Sequence, residues 1–431
     1  MKSMARNDTS VSTEPESRSR ILTELSDGCV KCGLCLPHCP TFTLCNNEAE
    51  SPRGRIGLIQ GLAQNAIRSS DTLGTHLEQC LSCRRCEAVC PAKVPYGRLI
   101  DAARATLTAS GRKPKVSERL LVRLSTSRRL LHATGLAVAA WQTLKATRWL
   151  YPLLPSSLRR IAAMLPADNP RPQLPAFSAA IGRKRGKIAL FTGCINPALE
   201  PQALDDSVLV LTEAGYDVAV PSTQVCCGAL ALHAGYPDAA RLLIDQNLAA
   251  FDIQDVDAVV FTASGCGAML REYDRLVDSK SARHFARSCH DVCYIVAASD
   301  WRAPGLNTDE RIGIHESCTM KNVIGEQAGT AALLQAVAGN CTVPLPDNDT
   351  CCGSAGAYVV ARPAIADALA DRKLTAIRQS GVDIVATSNI GCALHLRSSL
   401  RRTGSRTGVI HPISLVARAI RAAASTSRPD L

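Results

Sequence analysis

One cysteine spacing is written twice in this chain, and no other feature leaves so few folds open. The first copy is Cys29-Val-Lys-Cys32-Gly-Leu-Cys35-Leu-Pro-His-Cys39-Pro40, and the second is Cys80-Leu-Ser-Cys83-Arg-Arg-Cys86-Glu-Ala-Val-Cys90-Pro91. Both read C-x2-C-x2-C-x3-C-P, a run that ligates paired [4Fe–4S] cubanes. Three thiolates two residues apart on a tight loop can wrap three corners of one cubane. The fourth cysteine, starting a short helix that leads away, reaches the other. The spacing therefore predicts one cluster on Cys29, Cys32, Cys35 and Cys90, and a second on Cys80, Cys83, Cys86 and Cys39. The alternative is two structural zinc sites. Zinc usually takes C-x2-C pairs from separate strands, not four cysteines in one run closed by proline.

Such loops need few residues, and the chain has 431, enough for two or three domains. Aromatic residues make up only 4% of it against 46% hydrophobic, so its cores must be aliphatic. Twenty cysteines would suggest disulfides in a small secreted protein. Here the first twenty residues are polar and mixed in charge, so no export signal is expected and the cysteines read as metal ligands or reduced redox groups. No stretch reaches the roughly 18 apolar residues that cross a bilayer. The net charge is +11, and between Gly111 and Arg160 eleven Lys and Arg face a single acid, Glu118. The charge is thus confined to one connector, without the stacking aromatics spread over a module that nucleic-acid binding would ask for. No nucleic-acid partner is expected.

Along the chain, residues 1–20 are predicted to be a disordered tail and 21–110 a helical two-cluster domain. Cys45, between the runs, reads as a small buried hydrophobe. Residues 111–180 form a basic helical connector. Its large aromatics Trp141, Trp149 and Tyr151 suit either an anionic membrane surface or a partner subunit, and a plain packed linker is the alternative.

From Lys187 the pattern becomes α/β, and a second duplication shows itself. Strand-like Lys187–Thr192 leads to Cys194, Asp217–Val220 to Cys226-Cys227-Gly228, and Asp257–Phe261 to Cys266. The order then repeats, with Arg311–His315 leading to Cys318, Thr342–Leu345 to Cys351-Cys352-Gly353, and Asp383–Ala386 to Cys392. From Cys194 to Cys318, Cys226 to Cys351 and Cys266 to Cys392 the separations are 124, 125 and 126 residues. Equivalent cysteines this nearly in phase indicate duplication. Helical stretches between the strands give parallel sheets, in a first lobe over 187–300 and a second over 311–420. Each strand delivers its cysteine past its C-terminal end, the edge where open α/β sheets bind ligands. Cys194, Cys226, Cys227 and Cys266 can converge in one lobe, and Cys318, Cys351, Cys352 and Cys392 in the other. They could ligate iron, form a labile disulfide or line a redox pocket. His315 and His395 lie near them as possible ligands or proton donors, while His233 and His411 read as structural. Cys289, Cys293 and Cys341 fall outside the repeat. With no Gly-rich dinucleotide fingerprint or Walker loop, the chain is not expected to hold a flavin, NAD or ATP by those routes.

These residues resemble the iron–sulfur (F) subunit family of glycolate oxidase, from Cys29 to about Val416. The points of likeness are the two runs, Ser51-Pro-Arg-Gly-Arg-Ile56, Thr262-Ala-Ser-Gly-Cys-Gly267, Cys351-Cys-Gly-Ser-Ala-Gly356 and Asn389-Ile-Gly-Cys392. The repeat looks like the cysteine-rich CCG domains shared with heterodisulfide reductase and anaerobic glycerol-3-phosphate dehydrogenase subunits. The implied architecture is an α+β, α/β multidomain chain, with an α-helical two-cluster ferredoxin domain followed by two CCG lobes. The implied function is electron transfer without a catalytic residue on this chain. A flavin on partner subunits would oxidise glycolate, or D-lactate, and two [4Fe–4S] clusters here would pass electrons to quinone or another membrane acceptor at the cytoplasmic face of the inner membrane. A related D-lactate or glycerol-3-phosphate dehydrogenase subunit and a heterodisulfide-reductase-like thiol protein are the alternatives. The chain departs from the fuller CCG pattern, which ends in C-x2-C, because Met269 and His395 hold the last place. Ser317 stands where many relatives have proline. Each lobe then expects an atypical cluster at most.

Overall fold

Two sheets of the same design carry the C-terminal three-fifths of the chain. The computed structural model describes residues 15–143, 154–165 and 174–426. In the first lobe, β1 (Phe177–Ser178), β2 (Gly186–Phe191), β3 (Tyr216–Ala219), β4 (Ala258–Phe261) and β5 (Cys289–Asp291) lie in the order β1-β3-β2-β4-β5. All neighbours are parallel except the short β1, which pairs antiparallel with β3. In the second lobe, β6 (Ile312–His315), β7 (Thr342–Pro344), β8 (Ile384–Thr387) and β9 (Gly408–Ile410) lie in the order β7-β6-β8-β9, all parallel. Leaving β1 aside, the order is the same in both lobes, and registers match: Phe191 lies opposite Phe261 as His315 lies opposite Thr387. The central strands β4, β6 and β8 are near-continuous runs buried on both faces, as parallel sheets covered by helices require.

The lobes are locked by a reciprocal exchange. The helix after β5, Val292–Ala298, packs on helix Gln327–Ala338 of the second lobe, and the helix after β9, Pro412–Thr426, packs on helix Pro201–Glu213 of the first. Ile413, Val416, Ala417 and Ile420 thereby seal the core that holds Ile188, Leu190, Leu204 and Val210. Burying each such side chain contributes roughly 1.5–3 kcal/mol, which makes the crossover helix part of the first lobe's core although the sequence places it at the end of the second.

The N-terminal domain is helical, with helices Pro15–Ser26, Pro40–Cys45, Pro52–Ala63, Asp71–Glu78, Arg85–Ala88 and Tyr96–Ala109 around Leu22, Ile59, Leu77, Leu99 and Ile100. The first helix begins at Pro15, inside the stretch read as a disordered tail. Helix Pro40–Cys45 does start directly after Cys39, but Cys90 is followed by a turn through Lys93, and the next helix opens only at Tyr96. Two prolines within five residues, Pro91 and Pro95, account for the delay. Cys45 is exposed, not buried, because αL Asn46 ends its helix at the surface. The connector forms helices Val116–Thr126, Arg128–Thr143 and Ser156–Met164; Trp149 and Tyr151 lie outside the described residues. Among those residues, no helix is long and apolar enough to cross a membrane.

Candidate functional site

The two cysteine runs fold into the same loop. Two residues after the first cysteine, and one after the second, the backbone is left-handed: Lys31 (φ 55°) and Gly33 (φ 85°) in one run, Ser82 (φ 51°) and Arg84 (φ 57°) in the other. Such residues turn successive N–H groups toward one concave side, which favours anionic sulfur; the Ser82 N–H donates to Cys80 Sγ at 3.4 Å. A side chain in this region costs about 1–2 kcal/mol, so the three non-glycine positions indicate a conformation imposed by what the loop encloses.

A small cavity of about 40 Å³ is lined by Cys29, Cys32, Cys35, Cys86 and Cys90 against Ile56, Val94 and Tyr96. Cys39 lies apart from it with its Sγ 3.3 Å from Thr41 Oγ1. Cys86 is surrounded by Cys83, Cys80 and Cys39 as well, and burial, then those thiols, push it up. Cys86 thus stands between two sets of thiols, Cys29, Cys32, Cys35 and Cys90 in the cavity and Cys39, Cys80 and Cys83 beside it. Neither group includes a carboxylate or imidazole, and all twenty cysteines are free, a donor set that fits cubanes. Beside the second group lies the fully buried Arg55, which donates to the Glu50 carbonyl at 2.7 Å, the His76 carbonyl at 2.8 Å and Thr41 Oγ1 at 3.0 Å. Its charge is balanced by Glu50, which is also paired with His76.

In each lobe the four cysteines meet as the strand ends require. Cys194, Cys226, Cys227 and Cys266 stand next to one another in that order, and the Cys226 thiol is held well below the usual thiol range by the neighbouring thiols of Cys194 and Cys227. Cys318, Cys351, Cys352 and Cys392 follow one another likewise, with Cys352 Sγ 2.9 Å from Cys392 Sγ. The thiols run as strings, and among the described residues no three His, Cys, Asp or Glu side chains are set to cage a single metal ion. Each Cys-Cys pair turns on a glycine with positive φ, Gly228 (92°) and Gly353 (86°). A Cβ on Gly353 would come within 2.6 Å of the Ala366 carbonyl. All eight thiols line one cavity of about 250 Å³ between the lobes, and Cys80, Leu81 and Ser82 of the second run form part of its wall.

The second run is seated in the joint between the lobes. Arg84 pairs with Glu272 of the first lobe, and the next residue, Arg85, pairs with Asp349 of the second at 3.4 Å. Asn322 Nδ2 donates to the Cys83 carbonyl at 2.8 Å, the Tyr358 hydroxyl to the Gln79 carbonyl at 3.1 Å, and Leu81 packs with Cys351, Tyr358 and Val359. Cys83 is half-buried there; desolvation and then the neighbouring Cys318 push its thiol well up. The first run faces outward instead, with Cys32 exposed between Val30, 73% exposed, and Leu34, 57% exposed.

The histidines near the repeat are structural. Buried His315 bonds Thr387 Oγ1 at 2.9 Å and His395 bonds the Ala366 carbonyl at 3.1 Å; burial lowers both, His315 to about 3. His411 reaches the Thr262 carbonyl, and His233 pairs with Asp101 on the helical domain. Met269 is buried in the first lobe's core, and Cys289 and Cys293 are buried around β5. Cys341 is half-buried, its thiol donating to the Thr308 carbonyl. Ser317, the departure from proline, bonds Ser264 across the lobes at 2.6 Å, and Asn389 and Thr319 complete that hydroxyl cluster. Sequence reasoning missed this seam and also Lys373, a buried ammonium close to Cys351, Cys352 and Cys392. Laying helix Pro363–Ser380 over its counterpart Pro237–Ala250 would have shown Lys373 at the place of Asn247.

The dicluster loops and the duplicated cysteine-rich lobes define an iron–sulfur electron-transfer subunit of an oxidoreductase. Residues 25–94 match the 4Fe-4S dicluster domain family, and 188–271 and 312–397 match the cysteine-rich domain family. The chain is 31% identical over 409 residues to the glycolate oxidase iron-sulfur subunit of Escherichia coli, covering 91% of this chain and 93% of that one. It is 31% identical over 398 residues to the probable glycolate oxidase iron-sulfur subunit of Bacillus subtilis, 87% of this chain and 89% of the relative. The chain belongs to the glycolate oxidase iron–sulfur subunit family. Lactate utilization protein A of Exiguobacterium is 26% identical over 230 residues, 52% of this chain and 94% of that protein.

Proposed function

We propose that the chain is the electron-transfer subunit of a membrane-associated glycolate dehydrogenase whose flavin sits on partner subunits. The overall reaction turns the 2-hydroxy acid into the 2-oxo acid, and the two electrons and two protons released reduce a quinone to a quinol. Cys29, Cys32, Cys35 and Cys90 would hold one [4Fe–4S] cluster, and Cys39, Cys80, Cys83 and Cys86 the other. Bound clusters supply single-electron chemistry at low reorganisation. The protein's own contribution is placement. Val30 and Leu34 flank the exposed Cys32 with apolar surface for the flavin partner, Arg55 keeps a positive charge beside the second set, and Arg84 and Arg85 pin that set between the lobes. The lobes' eight thiols, Cys194, Cys226, Cys227, Cys266, Cys318, Cys351, Cys352 and Cys392, serve as an additional redox or ligand site.

The observation that carries this reading is the seat of the second run: Cys83 stands beside Cys318, and Cys80 lines the cavity of the eight thiols. Sulfur is thereby continuous from the exposed Cys32 to the joint between the lobes. Lactate as the 2-hydroxy acid fits the same reaction, and the likeness to lactate utilization protein A favours it as the second substrate. Protein purified anaerobically with its partners should hold about eight iron and eight sulfide in the two ferredoxin-type sets, and Cys83→Ser should lose one cluster's worth and stop acceptor reduction. Zinc without sulfide in the purified protein would overturn the assignment.

A further inference from the structure

The geometry points to a binding site outside the cysteine runs: a groove between connector helix Arg128–Thr143 and the first lobe that takes a quinone from the lipid bilayer. This rests on the proposal that the complex delivers electrons to a membrane acceptor, and it says where on this chain that acceptor binds. The groove holds about 770 Å³, within the roughly 300–1,000 Å³ of small-molecule sites. Leu131 and Leu136 form one wall, and Val225, Ala249 and Ala250 the other. Its floor includes Cys194 and Cys226. These two thiols also line the cavity between the lobes, so they form a partition between the sulfur-lined interior and the groove. A ligand lying in the groove touches the redox interior without entering it.

The lining chemistry selects the ligand. The walls are mainly aliphatic, and of the polar side chains at the groove, Ser125, Thr126, Arg128, Thr223, Gln224 and Gln246, Arg128 alone is charged. That suits a flat ring with two carbonyl oxygens and a hydrocarbon tail better than a charged, water-soluble acceptor. The rim selects the phase from which it comes. Leu136 is 56% exposed on the connector helix, and Leu242, on the same face of helix Pro237–Ala250 as Gln246 and Ala249, is 63% exposed. Arg119, Arg123, Arg128 and Arg129 are exposed on the connector helices beside it. Exposed leucines bordered by arginines fit an anionic bilayer surface. A lipid-dissolved acceptor would then enter from its own phase.

The test uses the full chain, purified anaerobically with its clusters, on vesicles containing phosphatidylglycerol. A photoreactive short-tail ubiquinone analogue should label peptides from 128–143 and from the segments around Cys194 and Val225. Ala249→Trp and, separately, Gln246→Trp replace exposed residues with an indole directed at the groove, and each should weaken binding of the analogue at least tenfold. Iron content and circular dichroism report that the fold is kept. Undiminished binding in both variants, or labelling confined to other segments, overturns the groove while leaving quinone as the acceptor. No binding by the wild-type chain, with the complex reducing only soluble acceptors, overturns the groove and the membrane-acceptor proposal together.

Discussion

The two lobes share a strand order, a thiol plan and a glycine turn, yet their interiors are built from opposite materials. Where the first lobe sets Phe191 opposite Phe261, the second sets His315 opposite Thr387. The first continues into an aromatic cluster, with Phe251 5.6 Å from Phe285 and Tyr273 stacked on Phe285 at 5.3 Å. Beneath the Cys-Cys turn it places the neutral Asn247 and Tyr273, which bond the carbonyls of Cys226 and Cys227 at 3.0 Å. At the place of Asn247 the second lobe buries Lys373, 1% exposed, bonded to the Asp347 carbonyl. Duplication has preserved the positions of sulfur while the surroundings diverged. One lobe gains stiffness from packing, and the other brings a positive charge to its sulfur.

The largest consequence concerns packing. Phe285→Ala removes the ring that joins Phe251 to Tyr273 and should cost about 3–5 kcal/mol, with hydrogen exchange accelerating across β2 and β4 before β6 and β8. Equal acceleration in both sheets would show that the crossover helices merge the lobes into one cooperative unit.

Next comes pH, to which the lobes should respond with opposite signs. His315, beside the cationic Lys373, is lowered to about 3, mainly by burial. Between about 3 and its ordinary value near 6.5 the unfolded chain binds the extra proton, so the second lobe loses stability as pH falls through that window. In the first lobe Asp291, which caps helix Val292–Ala298 through the Cys293 N–H and faces Glu326, is raised by burial to about 7. There the folded state holds the extra proton, so stability falls as pH rises from about 4 toward 7. One proton is worth about 1.4 kcal/mol per pH unit, and going from pH 7 to 5 should therefore shift the lobes apart by roughly 2 kcal/mol each. Amide exchange in β6 and β8 against β2 and β4, corrected for intrinsic rates, reads this directly. A common direction would mean that His411, which ties the second lobe to Thr262, governs both.

Smaller again is the effect of the buried charge on sulfur. In cluster-free protein, Lys373→Met should push the thiols of Cys351, Cys352 and Cys392 up, so that they alkylate more slowly at fixed pH. Asn247→Leu should leave the thiols of the first lobe unshifted. Equal rates in wild type and Lys373→Met would assign the ammonium to packing alone.

Much of this was readable in the chain because the chemistry is local. Cysteines two and three residues apart declare a loop whatever surrounds it, and strands such as Ala258–Phe261 announce themselves as apolar runs ending at a thiol. Features that depend on distant partners stayed hidden. β5 and β9 are three-residue edge strands defined by their neighbours rather than by their own pattern. Helix Pro412–Thr426 has an apolar face, but nothing in it says that the face belongs on the other lobe. Lys373 reads as one more charge on a helix until Asp347 and the thiols close around it, and Arg84-Arg85 reads as a basic pair until Glu272 and Asp349 stand on opposite sides.

The smallest effect is placed at the seam where the unlike lobes meet. Ser317 Oγ lies 2.6 Å from Ser264 Oγ, and Ser264 is also bonded by Thr319 Oγ1 and Asn389 Nδ2 at 2.9 Å. Removing one member leaves the others to satisfy Ser264, so Ser317→Ala should cost only about 1–2 kcal/mol, the net worth of its bonds to Ser264 Oγ and from the Met320 N–H. The residue also donates nothing to the sulfur strings, whose backbone is fixed by the strand ends and by Gly353. Thiol alkylation in each lobe should accordingly stay as in the wild type, while exchange at the Ser264 amide, which bonds the Ser388 carbonyl across the seam at 2.9 Å, should quicken. A loss well above 2 kcal/mol, or altered reactivity at Cys318, would mean that the seam holds the thiol geometry of the second lobe as well as the lobes' docking, and the contrast between them would then begin at their contact rather than in their interiors.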